Sequence, residues 1–479
     1  MNKVKGFTQY YFLFSILLFT TNQIQASKYH TPHTSAPLNF KMSIIDAKAS
    51  GSYGLIGQDI TQNGFTDLVS FAYSGISEGQ PEGEIYWYEF QPSISAKTSP
   101  TWKKHLITKK KHVVHGMFMD VDQDGLEDLV FMSDFEVPIK QPEKEGNIWW
   151  AKRPKDLNVK QWETYWIGQT PGAHRIITAD LQGTGQKQVI VIPLFGPGER
   201  PIYGAASITL YTPNSDIKRP WKKIIFENNQ YHVMHDAIVV PKKQGEKGEN
   251  ILIAAKEGLI KLSFYKDGDK WVMDPKLLHS SPKNTSEDES ARDKGVKTLD
   301  NKNKSDWKFS GLTSLSKFDS RASFIATIDY TSQSSYLNDE PWHGDTVTIY
   351  KPQNDSFLAS DMLERKVLEK RSAGGHAVQI ADLTGRGCFD IIAGYRSYPT
   401  ALVLYLCKQK KLANGDLKII YQKQILSERS ANSIVIGNWS KNGLPDLATA
   451  GYGNEGDPYI LMWLNQNSKM KSSLEKIIR

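Results

Sequence analysis

Several residues able to transfer protons stand at matching places along the chain, each shortly before a turn rich in Asp and Gly. The four histidines of this set are His115, His174, His235 and His376, and the corresponding place in two other segments holds Tyr53 and Asn432. Imidazole titrates near neutral pH and is a common metal ligand. The set therefore predicts acid–base chemistry, or a zinc or other divalent ion, if the fold gathers these side chains. The alternative is that the histidines are structural and bind backbone carbonyls.

The turn segment "FMDVDQDGLEDLVF" at 118–131 concentrates negative charge. Its carboxylates are Asp120, Asp122, Asp124 and Asp128, with Gly125 between the third and the fourth. Hard oxygen ligands at alternate positions, followed by a glycine that lets the chain turn, are typical of a calcium site. Asp59 and Asp67 form a weaker version of the same pattern. An acidic hairpin without metal is the alternative.

The acidic turn belongs to an internal repeat of about sixty residues. Its glycine recurs in segments such as "QDITQNGFTDLVSFAY", "ADLQGTGQKQVIVIPL", "ADLTGRGCFDIIAGYR" and "GNWSKNGLPDLATAGY". Two weaker copies bring the number of units to seven. Each unit carries four short strand signals, and no helical periodicity is present. This organisation predicts an all-β fold, a seven-bladed β-propeller of four-stranded blades. Tandem β-sandwiches are the alternative, although each would need about a hundred residues.

The outermost-strand pattern also occurs at both ends of the chain, as "KMSII" near Met42 and "LEKIIR" at 474–479. We therefore predict that the propeller closes by joining the N- and C-terminal strands in one blade, which would hide an edge strand.

The histidines begin the first strand of their units and the acidic turns end it, so the two sets are expected on opposite faces. The loops between second and third strands should return to the histidine face. They contribute His343, Arg396 and Tyr398 as further catalytic candidates. The substrate-binding candidates are Arg200, Tyr203, Trp342, Asn432 and Tyr452. A cup lined by His, Tyr and Arg suits removal of a proton beside a carboxylate.

The repeat resembles the FG-GAP or VCBS repeat, in which the acidic turn binds calcium and braces the blade. The resemblance implies this structural role for Asp120, Asp122, Asp124 and Asp128, and for Asp59 and Asp67 with weaker motifs. The histidine-led strands and "ADLxGxG" turns are also similar to the propeller of aldos-2-ulose dehydratase and of rhamnose–glucuronate lyases that degrade plant gums. That resemblance implies sugar elimination, with His115, His174, His235 and His376 as candidate site residues. Because the chain ends after one propeller, we expect a lyase.

Three functions follow as hypotheses. The first is a carbon–oxygen lyase, of polysaccharide lyase or sugar dehydratase type, that cleaves an acidic glycan by β-elimination. The second is a non-catalytic propeller, braced by calcium, that binds glycan or protein. The third, a glycoside hydrolase, would need paired carboxylates at the cup.

The N-terminal segment and the composition indicate where the protein is located and which partners it has. Residues 1–26 carry two lysines, an apolar run and a terminal "IQA", as a signal peptide does. We therefore expect a secreted or periplasmic protein whose propeller spans 27–479. We also expect a monomer. The polar segment 284–306 is expected to be a surface insert.

The formal charge is +7, or about +5 (7 − 2) without the signal-peptide lysines, which favours anionic partners. We expect no nucleic acid partner and no membrane span, and a disulfide between Cys388 and Cys407.

Overall fold

The computed structural model of the protein describes residues 37–49, 52–73, 83–93, 100–136, 142, 144–199, 202–243, 245–280, 311–330, 342–352, 363–396, 401–412, 417–452 and 458–468. These residues form 29 strands and no helix, which confirms the all-β prediction. The predicted signal peptide (1–26) and polar insert (284–306) lie outside the described residues.

Most strands lie in antiparallel sheets of four. The first sheet contains β2 (Ser52–Gln58), β3 (Asp67–Ala72), β4 (Gly83–Gln91) and β5 (Thr101–Lys110). The second contains β6 (Gly116–Met119), β7 (Asp128–Ser133), β8 (Asn147–Lys152) and β9 (Glu163–Gln169). The third contains β10 (Ala173–Ala179), β11 (Gln188–Pro193), β14 (Ile208–Thr212) and β15 (Lys222–Phe226). The small ribbon of β12 (Gly198–Glu199) and β13 (Ile202–Tyr203) lies in the loop that precedes β14.

The fourth sheet contains β16 (Asp236–Pro241), β17 (Glu249–Ala255), β18 (Gly258–Asp267) and β19 (Lys270–Ser280). The fifth has seven strands: β20 (Gly311–Leu315), β21 (Ile325–Tyr330), β22 (Gly344–Pro352), β23 (Leu363–Ala381), β24 (Asp390–Tyr395), β25 (Ala401–Lys411) and β26 (Leu417–Ser427). Its size comes from β23, whose first part pairs with β22 and whose second part pairs with β24. One long strand thus serves as fourth strand of one repeat and first strand of the next.

The sixth sheet joins the two ends of the described chain. It contains β27 (Ser433–Gly437), β28 (Asp446–Ala450), β29 (Ile460–Asn465) and the N-terminal β1 (Phe40–Asp46). Phe40 stands opposite Asn465, and Met42 stands opposite Trp463. The segment "LEKIIR", the other predicted terminal strand, lies outside the described residues.

The hydrophobic core lies between neighbouring sheets. Second strands such as β7 and β11 are buried along their whole length, whereas fourth strands such as β15 are half exposed. One apolar cluster joins the first and second sheets through Phe71, Trp87 and Phe131. Another joins the first and sixth sheets and contains Phe90 and Met462. Burial on both faces explains why the second strands are nearly continuous apolar runs.

Candidate active site

Four histidines meet where the first strands begin. The ring centroid of His235 lies 5.0 Å from that of His174, 5.2 Å from that of His376 and 5.5 Å from that of His343. The centroids of His343 and His376 are 5.3 Å apart. All four side chains are buried. We call this group the histidine cluster.

The repeat explains how three of the four arrive there. His174 lies in β10, His235 directly precedes β16, and His376 lies in β23. Each therefore lies near the start of the segment that serves as first strand of its repeat. His343 comes instead from the loop that leads into β22.

His115 does not belong to the cluster, although the sequence grouped it with the other three. It lies five residues before Asp120, whereas the others lie six residues before the corresponding positions, which are Asp180, Pro241 and Asp382. Val114 therefore occupies the equivalent place, and His115 lies one residue farther along. Because successive side chains of a strand point to opposite faces, this shift of one residue directs His115 away from the cluster. There its Nδ1 accepts the backbone N–H of Ile176 at 3.2 Å.

Backbone carbonyls orient two of the clustered rings. His235 Nδ1 lies 2.8 Å from the Thr313 carbonyl oxygen, and His376 Nδ1 lies 2.8 Å from that of Asn432. A carbonyl only accepts, so both Nδ1 atoms carry the proton and both Nε2 atoms keep a lone pair. His376 Nε2 is buried and has no hydrogen-bond partner among the described residues.

A metal-ligand set lies within the cluster. His235, His343 and His376 each present one nitrogen, and these atoms lie within 4.8 Å of one another. Zinc binds histidine nitrogens, and histidine ligands characteristically donate their other N–H to a carbonyl or carboxylate. The orphaned Nε2 of His376 and the two carbonyl contacts fit such an ion.

The environment keeps the cluster neutral. Burial lowers the pKa of His174 well below its ordinary value, and the Arg175 guanidinium lowers it further. Burial also lowers the pKa of His235, His343 and His376. Neutral imidazoles at neutral pH can accept protons or bind metal.

Aromatic rings border the histidine cluster. Tyr53 Oη lies 3.2 Å from His174 Nε2, and the Tyr53 ring meets that of His376 edge to face at 5.6 Å. The rings of Tyr73 and Tyr452 lie 6.0 Å from that of Tyr53 and are partly exposed. The Arg396 guanidinium carbon lies 4.3 Å from the Tyr452 ring centroid. Partly exposed aromatic faces beside polar groups are suited to sugar rings.

The remaining predicted residues divide into two groups. Trp342 packs edge to face on Phe195 at 4.8 Å, and its carbonyl accepts the Thr313 hydroxyl at 2.7 Å, so it supports the loop of His343. Arg200 and Tyr398 lie outside the described residues, as does the side chain of Tyr203.

A channel of about 500 Å³ begins beside the cluster and runs between the first strands. Tyr53, His376 and Asn432 line it together with His115, Arg175 and Asp236. The repeat pattern alone did not single out Arg175 and Asp236. The available signal was that each directly follows a repeated histidine.

The acidic turn of the second sheet lies at the other end of its first strand, as expected from strand direction. Oxygen atoms of Asp120, Asp122 and Asp124 lie within 4.8 Å of one another. The Lys152 ammonium contacts Asp122 and lies 3.6 Å from Asp124 Oδ2. Three converging carboxylates fit calcium, and an internal cation already offsets part of their charge.

The other predicted calcium ligands bind backbone N–H groups instead of converging. Asp128 accepts the N–H of Val121 at 3.1 Å and that of Arg153. Asp67 accepts the N–H of Ile60 at 3.0 Å and that of Phe90 at 2.8 Å. Asp59 accepts the N–H groups of the turn residues 63 and 64 at 3.0 and 2.8 Å. These carboxylates hold the hairpins together directly.

Comparison with known proteins identifies one family with a similar sequence. Residues 145–353 match the family model of the β-propeller domain of aldos-2-ulose dehydratase. The aldos-2-ulose dehydratase of Phanerodontia chrysosporium is 22% identical over 179 residues, which cover 36% of this chain and 19% of that relative. The chain thus spans about a fifth of the relative's length. None of the described residues forms a helix long and apolar enough to cross a membrane. The chain resembles the β-propeller domain of aldos-2-ulose dehydratase over the matched residues, which confirms the resemblance read from its histidine and turn motifs.

Proposed function

We propose that the protein is a carbohydrate-active carbon–oxygen lyase that cleaves an acidic glycan by β-elimination beside a uronic acid carboxylate. The observation that carries the proposal is the buried, neutral histidine cluster, with Tyr53 and Arg396 beside it, at the end of a channel. The name of the relative, a sugar dehydratase, supports elimination chemistry on a sugar.

The reaction needs a base, a proton donor and a cation near the carboxylate. His174 would remove the proton from the carbon next to the carboxylate, and the electron pair would form the double bond as the C–O bond breaks. Tyr53, whose hydroxyl lies 3.2 Å from His174 Nε2, would give its proton to the leaving oxygen. Arg396 would offset the charge that develops on the carboxylate.

His235, His343 and His376 would hold zinc or another divalent ion. Such an ion would supply a Lewis acid that polarises an oxygen of the substrate. The two carbonyls that bind His235 and His376 would keep their Nε2 atoms directed toward the ion.

The finer features of the fold are also proposals. A closed ring of seven blades is supported by the pairing of β1 with β29, by the division of the fifth sheet at β23 and by the core shared between first and sixth sheets. Calcium at the acidic turn is supported by the convergence of its carboxylates. The Cys388–Cys407 disulfide supports a secreted or periplasmic location, because disulfides persist in oxidising compartments. We propose a monomer.

Activity on a panel of glucuronate- and galacturonate-containing glycans tests the function. We expect ultraviolet absorbance of an unsaturated uronate to appear, and His174→Ala or Tyr53→Phe to lower kcat by at least about a hundredfold. His105→Ala is the matched control, since His105 pairs with Glu89 and stacks on Trp87, away from the channel. Absence of product across the panel, or full activity of both variants, would contradict the proposal.

The alternative is a non-catalytic propeller that binds glycan or protein. It is favoured by the carbonyl contacts of His235 and His376, which structural histidines also make. It predicts glycan binding without product and an affinity that His174→Ala leaves unchanged.

A further inference from the structure

The channel beyond the histidine cluster contains charged side chains that the proposed elimination does not use. Three are cationic and three are carboxylates, and they come from four of the sheets. They are Arg175, Lys187, Lys317, Glu127, Asp236 and Glu249.

Five of the six have partners. The ion pairs are Arg175 Nε with Asp236 Oδ1 at 3.3 Å, and Lys187 Nζ with Glu127 Oε1 at 3.7 Å. Glu249 Oε2 accepts the backbone N–H of Asp180 at 2.7 Å. These contacts leave one cation without a carboxylate partner among the described residues, while the Glu249 carboxylate is held by a neutral N–H group.

That cation is Lys317, which follows the end of β20. Its backbone N–H donates to Gln379 Oε1 at 3.3 Å, but no carboxylate among the described residues pairs with its ammonium. Its side chain lines the channel and is open to solvent. An ammonium that lines a channel without a carboxylate partner attracts an anion.

His115 supplies a second group that suits an anion. Its Nδ1 accepts the N–H of Ile176, so in the neutral ring the proton is on Nε2. The pKa of His115 is lowered well below its ordinary value by burial, and further by the charges of Arg175 and Lys317. The lining of the channel therefore presents both an N–H donor and an unpaired ammonium.

We propose that Lys317 and His115 form a subsite for the carboxylate of an acidic sugar inside the channel. The inference rests on the proposed function, in which the substrate is a uronate glycan. It adds that a sugar carboxylate is held beyond the histidine cluster, by residues that take no part in proton transfer.

Calorimetric titration of the chelator-treated protein tests the subsite. The probes are glucuronate, glucose as its uncharged counterpart, and inorganic phosphate as a different anion. The variants are Lys317→Gln, Lys317→Arg, which keeps the charge, and Lys187→Gln, a matched control that removes a paired lysine of the same channel. Thermal unfolding establishes that each variant is folded.

We expect glucuronate to bind more tightly than glucose, and Lys317→Gln to weaken glucuronate about tenfold, while Lys317→Arg and Lys187→Gln stay near the wild type. Equal affinity of Lys317→Gln and the wild type would overturn the inference. So would equal binding of glucose and glucuronate, no binding of glucuronate, or phosphate binding in its place. Glycan turnover by the same proteins is a separate readout. Lys317-dependent binding without turnover refutes the lyase alone, and turnover with unchanged binding in Lys317→Gln refutes the subsite alone.

Discussion

At the scale of single residues, the position of one nitrogen decides what a histidine can do here. His235 and His376 donate from Nδ1 to carbonyls and keep Nε2 for the cluster. His115 accepts through Nδ1 and presents Nε2–H to the channel. Histidines that look equivalent in the repeat therefore differ in what they offer. His235 and His376 offer a lone pair that can bind metal or accept a proton, whereas His115 offers an N–H donor.

The buried histidines should make stability sensitive to acid. His174 has its pKa lowered in the folded protein by burial and by Arg175, whereas in the unfolded chain it returns to about 6.5. The contribution of neutral His174 to the free energy of unfolding is complete above about pH 6.5. It is lost as the pH falls further, because only the unfolded state takes up the proton. Between about pH 7.5 and about pH 5.5 the wild type should lose about 1.4 kcal/mol more unfolding free energy than His174→Gln.

Urea unfolding at both pH values measures this difference. The comparison of two proteins is needed because Asp128 and Asp390, whose pKa burial raises to about 7, act in the opposite direction over the same window. Parallel losses in both proteins would show that His174 is protonated in the folded state.

Lys152 should compete with calcium for the acidic turn. Its ammonium contacts Asp122 and lies near Asp124, so Lys152→Met should raise calcium affinity by roughly fivefold, the effect of about 1 kcal/mol at a partly exposed pair. Calorimetry on chelator-treated protein measures it, with the exposed Lys155→Met as control. Unchanged affinity, or no calcium binding by either protein, would contradict the assignment.

At the scale of elements, four of the hairpins between first and second strands are closed by the same hydrogen bonds. A carboxylate at the start of the second strand accepts an N–H from the turn and another from the end of the third strand. Asp67, Asp128, Asp390 and Asp446 all do so. The turn glycine adopts φ values from 72° to 86° in five copies, a conformation that favours glycine. The repeat around Gly387 carries the Cys388–Cys407 disulfide at the place where the repeat around Gly64 has the contact between the Phe65 and Phe90 rings.

Side chains at the end of third strands also connect neighbouring repeats. Arg153 donates through Nε to the Ile60 carbonyl at 2.9 Å, and Asn465 donates through Nδ2 to that of Leu383 at 2.9 Å. Arg153→Met should lower the unfolding free energy by about 1–3 kcal/mol, because it leaves a buried carbonyl without its donor.

Urea unfolding followed by tryptophan fluorescence checks the Arg153 prediction. Lys155→Met, an exposed change of the same kind two residues away, should leave the midpoint unchanged. Equal stability of the two variants would mean that the Ile60 carbonyl finds another donor.

At the scale of the whole molecule, the pairing of β1 with β29 unites the two ends of the described chain. Without β1, β29 would be an edge strand with unpaired N–H and C=O groups. The N-terminal strand therefore contributes to the same cooperative structure as the C-terminal repeat.

Proline substitutions in β1 test this role. Adjacent residues of a strand direct their N–H groups to opposite sides, so either Met42→Pro or Ser43→Pro must remove a hydrogen bond to β29. We expect one of the two to lower the midpoint of the single unfolding transition, while Met42→Ala and Ser43→Ala have little effect. A wild-type midpoint for both proline variants would contradict a stabilising role of β1.

The repeat made much of the fold readable from the chain. The recurrence of "ADLxGxG"-type turns, with apolar runs on either side, predicted antiparallel sheets of four strands and the strand ends on which the histidines lie. The merging of two repeats through β23 was not predicted, because strand continuity depends on backbone direction across 372–375, where the sequence offers only a short Ser/Ala/Gly segment.

The sequence by itself determined the all-β class, the four-stranded repeat and the separation of histidines from acidic turns, because strand alternation and turn chemistry are local properties. Only the tertiary structure decided which side chains meet. It placed His343 in the cluster, set His115 on the channel that Lys317 also lines, and set Lys152 against the acidic turn. These contacts join residues from different repeats or from loops, and their distances depend on packing between sheets, which local periodicity does not encode.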